Sequence, residues 1–126
     1  MKQISYNKYA LYEYFVLEKY EAGIVLEGAE VKQLRAGNCN LKDSFCLLKN
    51  GELILKNLHI PLYDKAGAFS SKDSKRDRKL LMHRRELDKL AGKINEKGFT
   101  IVPLSLYFSG SLIKAEIALC KGKQNY

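Results

Sequence analysis

Residues 99–120 read FTIVPLSLYFSGSLIKAEIALC, and their alternation decides the fold. In 99–108, Val102, Leu104, Leu106 and Phe108 share one face of an extended chain. In 112–120, Ile113, Ala115, Ile117 and Leu119 share one face, with Lys114 and Glu116 on the other. Ser109-Gly110-Ser111 lies between the two runs and supplies a turn, so the stretch predicts a β-hairpin.

Working outward, the same pattern recurs upstream. Residues 44–49 and 52–60 are β-rich and flank Asn50-Gly51, the pair favoured where both turn positions need positive φ. A further strand runs through 14–26, where the apolar parity changes between Phe15/Leu17 and Tyr20/Ala22/Ile24, with Gly23 nearby. A bulge or bend there would re-aim the strand, as the corners of small barrels require. A short helix over about 28–35 should stop at Gly37. A longer one over 84–97 carries Leu87, Leu90, Ala91 and Ile94 on one face and ends at Gly98. His83 and Glu86 stand at the cap and third positions of that helix, in the layout of a capping box. Strands in hairpins with two flanking helices predict a mainly β chain with α: a small antiparallel OB-type barrel, one domain over 1–126.

Composition narrows the function classes. Hydrophobic residues make up 46% and charged residues 29%, ordinary values for a globular fold. The net charge is less ordinary: 22 Lys and Arg against 14 Asp and Glu give +8, which draws a small protein to a polyanion. Residues 1–71 are nearly balanced, with 9 basic and 8 acidic side chains, whereas KDSKRDRKLLMHRR (72–85) holds 7 basic and 2 acidic. A block of this kind predicts a localised footprint or else a solvated loop. Cys39, Cys46 and Cys120 form no CxxC pair and read as reduced thiols of a cytoplasmic protein. LYEYFVL contains Glu13 and lacks a signal-cleavage pattern, and FTIVPLSLYF is too short to span a membrane, so no membrane association is expected.

Catalytic signatures are scarce. His59 and His83 do not fall at metal-ligand spacing with each other or with the cysteines, and no GxxxxGK[ST] or GxGxxG loop occurs. The carboxylates are scattered among lysines, so the expectation is a non-enzyme without metal or cofactor.

Three ordered blocks then carry a resemblance. Asn7-Lys8 followed by YEYFVLEKYEAGIVLEGAEVKQLRAGNCNLKDSF, then RKLLMHRRELDKLAGKINEKGFTIVPLSLYF, then ALCKGK resemble the small protein B (SmpB, SsrA-binding protein) family over nearly the whole chain. The resemblance implies an OB-type body that binds the tRNA-like domain of transfer-messenger RNA and enters stalled ribosomes for trans-translation. It implies no covalent chemistry, and the chain is expected to act as a monomer.

By residue, the resemblance carries RNA contacts onto Glu21 in EAGIVL and onto Leu81 and His83 in RKLLMH. Glu21 could accept hydrogen bonds from base N–H or ribose 2′-OH groups, although a solvent-facing strand glutamate would look the same. Leu81 could pack on a base or sugar, or belong to the core. His83 could pair with or stack on a base while also capping the helix. Arg35, Lys121 and Lys123 are expected to contact phosphates, with Arg78, Lys79, Arg84 and Arg85 as second-rank candidates. Family members continue past KGK into a basic tail, whereas this sequence stops at Gln124-Asn125-Tyr126. The expectation is that RNA binding survives without that tail and that productive tagging is in doubt. Two other readings compete: a generic OB module with stacking aromatics, and a small enzyme using Cys46 or His83.

Overall fold

A computed structural model describes residues 2–62 and 73–123. The chain opens with β1 (Lys2–Tyr6), a single-turn α1 (Ala10–Glu13) and the long β2 (Tyr14–Ile24), followed by α2 (Gly28–Arg35). The hairpin β3 (Phe45–Lys49) and β4 (Glu52–Lys56) comes next, then β5 (Arg78–Leu81) and α3 (Arg84–Lys93). The terminal hairpin is β6 (Phe99–Ser109) and β7 (Leu112–Gly122). The strand order is β1-β6-β3-β4-β5-β2-β7, and β6 also pairs with β7, so the antiparallel sheet closes on itself. That closed ring with flanking helices is consistent with the OB-type arrangement expected from the sequence.

Both predicted turns form. Asn50 and Gly51 have φ of 53° and 76°, the positive pair that a two-residue hairpin needs. Gly110 at φ 61° turns β6 into β7, with Ser109 opposite Leu112. The α2 bounds match the expectation, and Gly37 follows its end at φ 81°. A reciprocal capping box starts α2: the Glu27 side chain accepts from the third helical amide, and Glu30 accepts from the Glu27 N–H at 2.9 Å.

The expectation of one continuous face on 99–108 fails at Pro103. The register slips between Pro103 and Ser105, leaving Leu104 as the extra residue of a bulge. Proline has no N–H for the ladder, which makes a bulge its natural place within a strand. Buried Asn7 stitches the bulge, donating from its side chain to the Pro103 carbonyl (3.0 Å) and from its backbone to the Leu104 carbonyl (2.7 Å). As a result Val102 and Leu104 pack with Ala10, Ala118 and Cys120, whereas Leu106 joins Ile101, Ala115, Ile117 and Leu119 in the main core. β2 slips likewise between Val16 and Glu18, so Val16 lies in the small cluster and Tyr20 and Ala22 in the large one. The predicted re-aiming of β2 is therefore present. Phe15 and Leu17 stay exposed.

Helix α3 is shorter than the predicted 84–97. It stops at Lys93, with Ile94 as its cap, and 95–98 form a turn ending in Gly98 at φ 86°. The last expected turn holds Asn95, a weak helix former, and is followed directly by Gly98 in the left-handed conformation that ends helical segments. Leu90 is fully buried and Leu87 and Ile94 pack on the core, but Ala91 is exposed, narrowing the predicted apolar face. His83 occupies the cap position with extended backbone and makes no side-chain cap hydrogen bond. Helix α3 is fastened to β2 through Glu18, which accepts hydrogen bonds from Lys93 and from Tyr20, with Lys89 at 3.8 Å. The hydrogen bond from Lys93, followed by that from Tyr20, lowers the Glu18 pKa.

Candidate nucleic-acid interface

The outer face of β2 carries Glu21 and Gly23 side by side, two residues apart. Across the β2–β5 ladder Gly23 faces Leu81, and a Cβ at Gly23 would sit 3.6 Å from the Leu81 Cβ. Leu81 is 51% exposed, so it is not the core leucine it could have been. Glu21 and Leu81 are diagonal cross-strand neighbours, a spacing of roughly 7–8 Å. Two residues beyond Leu81, exposed His83 leads into α3, where Arg84 and Arg85 are also exposed. These residues, predicted from separated blocks, are brought to one side of the closed sheet, around the β2–β5 ladder.

Lys121 and Lys123 are elsewhere. Lys121 pairs with Phe15 at the start of β2, whereas Gly23 pairs with Lys114. Eight strand residues separate those rungs, roughly 25 Å. Lys123 donates to the Leu11 carbonyl at 2.7 Å and lies 5.0 Å from the Phe15 ring centroid. Lys8 and Lys42 stand over Tyr9 at 5.9 and 5.5 Å. With Tyr12 79% exposed, this end of the molecule interleaves lysines with aromatics. Arg35 is exposed at the end of α2.

The basic block behaves differently from its composition. Arg78 is 0% exposed, and its guanidinium is engaged by Glu30 (2.9 and 2.5 Å) and the carbonyls of Leu58 and Ser74. It is therefore corrected from a phosphate candidate to an internal tie between β5 and α2. Arg76 also pairs with Glu30 and reaches Glu27 at 3.6 Å. Burial by itself would raise the Glu30 pKa, but hydrogen bonds from Arg76, the Glu27 amide and Arg78 outweigh it and hold it below its usual value. Lys79 pairs with Glu52, and Arg84 with Asp88 at 3.1 Å. Both pairs are exposed, so a phosphate could compete for these cations. Among the described residues, Arg85 and Lys75 have no acidic partner; Lys72 lies outside them.

Sequence reasoning did not find Tyr107, whose hydroxyl donates to Glu21. Alternation with Leu106 already places Tyr107 on the outer face, but its reach to Glu21 depends on β6 and β2 flanking β7, which no local pattern announces. Glu116, directly opposite Glu21 on β7, was also missed as a neighbour of the site. The thiols give no support to a nucleophile. Cys46 and Cys120 are buried, and burial pushes the Cys46 thiol far up and Cys120 to about 11.

The comparisons with known proteins cover nearly the whole chain. A family model described as SmpB protein matches residues 4–126. The chain belongs to the SmpB family. It is 53% identical to an SsrA-binding protein of Carboxydothermus hydrogenoformans over 99% of this chain and 83% of that protein. An SsrA-binding protein of Geobacter metallireducens is 54% identical, over 99% of this chain and 81% of its own length. Among solved structures, one described as "tmRNA-SmpB: a journey to the center of the bacterial ribosome" matches with a TM-score of 0.78 and 46% identity. That match covers 97% of this chain and 85% of the other. No helix of the described residues is long and apolar enough to cross a membrane.

Proposed function

We propose that this chain binds the tRNA-like domain of transfer-messenger RNA and delivers it to stalled ribosomes, so that incomplete proteins are tagged. The observation that carries the reading is the match to SsrA-binding proteins along 99% of the chain, together with the shared surface of Glu21, Leu81 and His83. In this reading Glu21, Leu81 and His83 contact bases and sugars. Arg35, Lys121, Lys123, Lys79, Arg84 and Arg85 contact phosphates. The role is that of a cytoplasmic carrier without covalent chemistry, acting as a monomer with a single-domain body.

A competition assay tests it. Labelled transfer-messenger RNA bound to the chain is challenged with ordinary tRNA and with unstructured RNA at two salt concentrations. The expected result is displacement by unlabelled transfer-messenger RNA at far lower concentration than by the others. Equal displacement by all three would leave only a basic RNA binder.

A further inference from the structure

The hydrogen bond between Tyr107 and Glu21 crosses a strand. Tyr107 stands on β6 and Glu21 on β2, with β7 between them, so the two side chains together span about 10 Å of sheet, past Lys114 and Glu116. Tyr107 is 8% exposed, so its ring has little freedom and its hydroxyl points one way. Burial, then the hydrogen bond to Glu21 and the charges of Glu21 and Glu116, push the phenol pKa well up, so it stays a donor.

The Glu21 carboxylate is exposed and opens on a depression of about 530 Å³ whose wall includes Gln3, Lys19, Ser105 and Glu116. Glu116 faces Glu21 directly, a like-charge pair that normally destabilises a sheet. Two carboxylates side by side repel phosphate. They favour a neutral group rich in hydrogen-bond donors.

We propose that Tyr107 is a positioning residue that fixes Glu21 to receive the Watson–Crick edge of an unpaired guanine. This rests on the reading of Glu21 as an RNA contact. A carboxylate has about four acceptor sites, and the phenol occupies one of them. Guanine presents adjacent N1–H and N2–H donors, which match the two oxygens of a carboxylate. Adenine and cytosine set one amino donor beside an acceptor nitrogen, and uracil sets one N–H between two acceptors. Each of those would face an oxygen with a lone pair. Such an edge is available in loops, where RNA bases are read unstacked.

The test uses the full chain and the tRNA-like domain, transcribed with guanine or with inosine at loop positions; inosine lacks the N2 amino group. Glu21→Gln is expected to lose about tenfold in affinity. Tyr107→Phe is expected to lose about 3- to 10-fold. The double variant should bind no more weakly than Glu21→Gln alone, because the phenol acts through the carboxylate. Inosine should weaken the wild-type chain and leave Glu21→Gln indifferent, and no variant should change the salt slope. Full affinity in a folded Tyr107→Phe, multiplying losses in the double variant, or equal wild-type binding of both transcripts would overturn the proposal. The inosine arm leaves the protein untouched, so it decides even if Tyr107→Phe folds poorly. Failure of the wild type to prefer transfer-messenger RNA over tRNA would instead strike the proposed function itself.

Discussion

Glu30 and Glu21 are the same residue in the same basic protein, and the fold puts them to opposite uses. Glu30 is buried beneath β5 and gathers Arg76, Arg78 and the Glu27 amide. Glu21 is exposed on the outer face of β2, with one phenol donor and a second carboxylate opposite. A carboxylate surrounded by arginines has its acceptor sites filled from within. One held by a single neutral donor keeps sites open to an outside ligand. The contrast teaches where the +8 charge is available: arginines near Glu30 are neutralised inside, and the face near Glu21 presents carboxylate acceptors rather than positive charge.

The sharpest way to break the comparison is to remove Glu30. Glu30→Ala would leave Arg78 buried without a counter-charge, a loss of about 3–5 kcal/mol. Arg76 would suffer less, since its side chain is 25% exposed and can turn to water. Urea unfolding should show the midpoint fall accordingly. A Glu30→Leu/Arg78→Met double variant should recover much of the loss. If Glu30→Ala unfolds at the wild-type midpoint, the internal tie is not what holds β5 to α2.

Acid sharpens the same contrast. The folded-state pKa of Glu30 is depressed, so its contribution to stability is complete above the unfolded carboxylate value of about 4.3. It is lost as pH falls through the folded value. Urea midpoints measured from neutral pH downward should therefore drop, and Glu30→Gln should flatten that drop.

How much of this was legible in the chain depends on how far apart the partners are. Asn50-Gly51 and Gly37 announce their turns because positive φ is a local demand met by local chemistry. The Pro103 bulge was available in principle, since proline within a strand already argues for one. The strict alternation of Val102, Leu104, Leu106 and Phe108 concealed it. Arg78 misled for a different reason. In sequence it is one of seven basic residues in a run, and only the Glu30 carboxylate, 48 positions away, takes it inside. The Glu21 partner is 86 positions away. Family blocks picked out Glu21, Leu81 and His83, and alternation turned Tyr107 outward, but nothing local could say that β6 comes within one strand of β2.

A second contrast sets the Glu21 face against the lysine end near Phe15. Replacing Lys121 and Lys123 with alanine should weaken RNA binding and flatten the slope of log affinity against log salt. Each lost phosphate contact is worth about 0.7–0.9 of slope. Glu21→Ala should weaken binding at an unaltered slope. An unchanged slope in the lysine variant would mean that Lys123 does no more than hold the Leu11 carbonyl, and that the aromatic end is not part of the RNA footprint.

The smallest effect comes from Lys79, and it separates two fates within one strand. Lys79 follows Arg78 immediately, but strand alternation sends it outward, where it pairs with Glu52 on the solvent side of β4. Exposed pairs of this kind contribute about 0–1 kcal/mol, so Lys79→Met should barely move the urea midpoint. Its effect on RNA binding is the informative number. If Lys79 leaves Glu52 for a phosphate, Lys79→Met lowers the salt slope by about 0.7–0.9. Glu52→Gln, which frees the lysine, should then raise affinity slightly. If both variants bind as wild type does, Lys79 contributes nothing and Arg84 and Arg85 remain the block's candidates beside Leu81 and His83. The surface that reads RNA on this side would then be the Leu81–His83 edge and the first turn of α3.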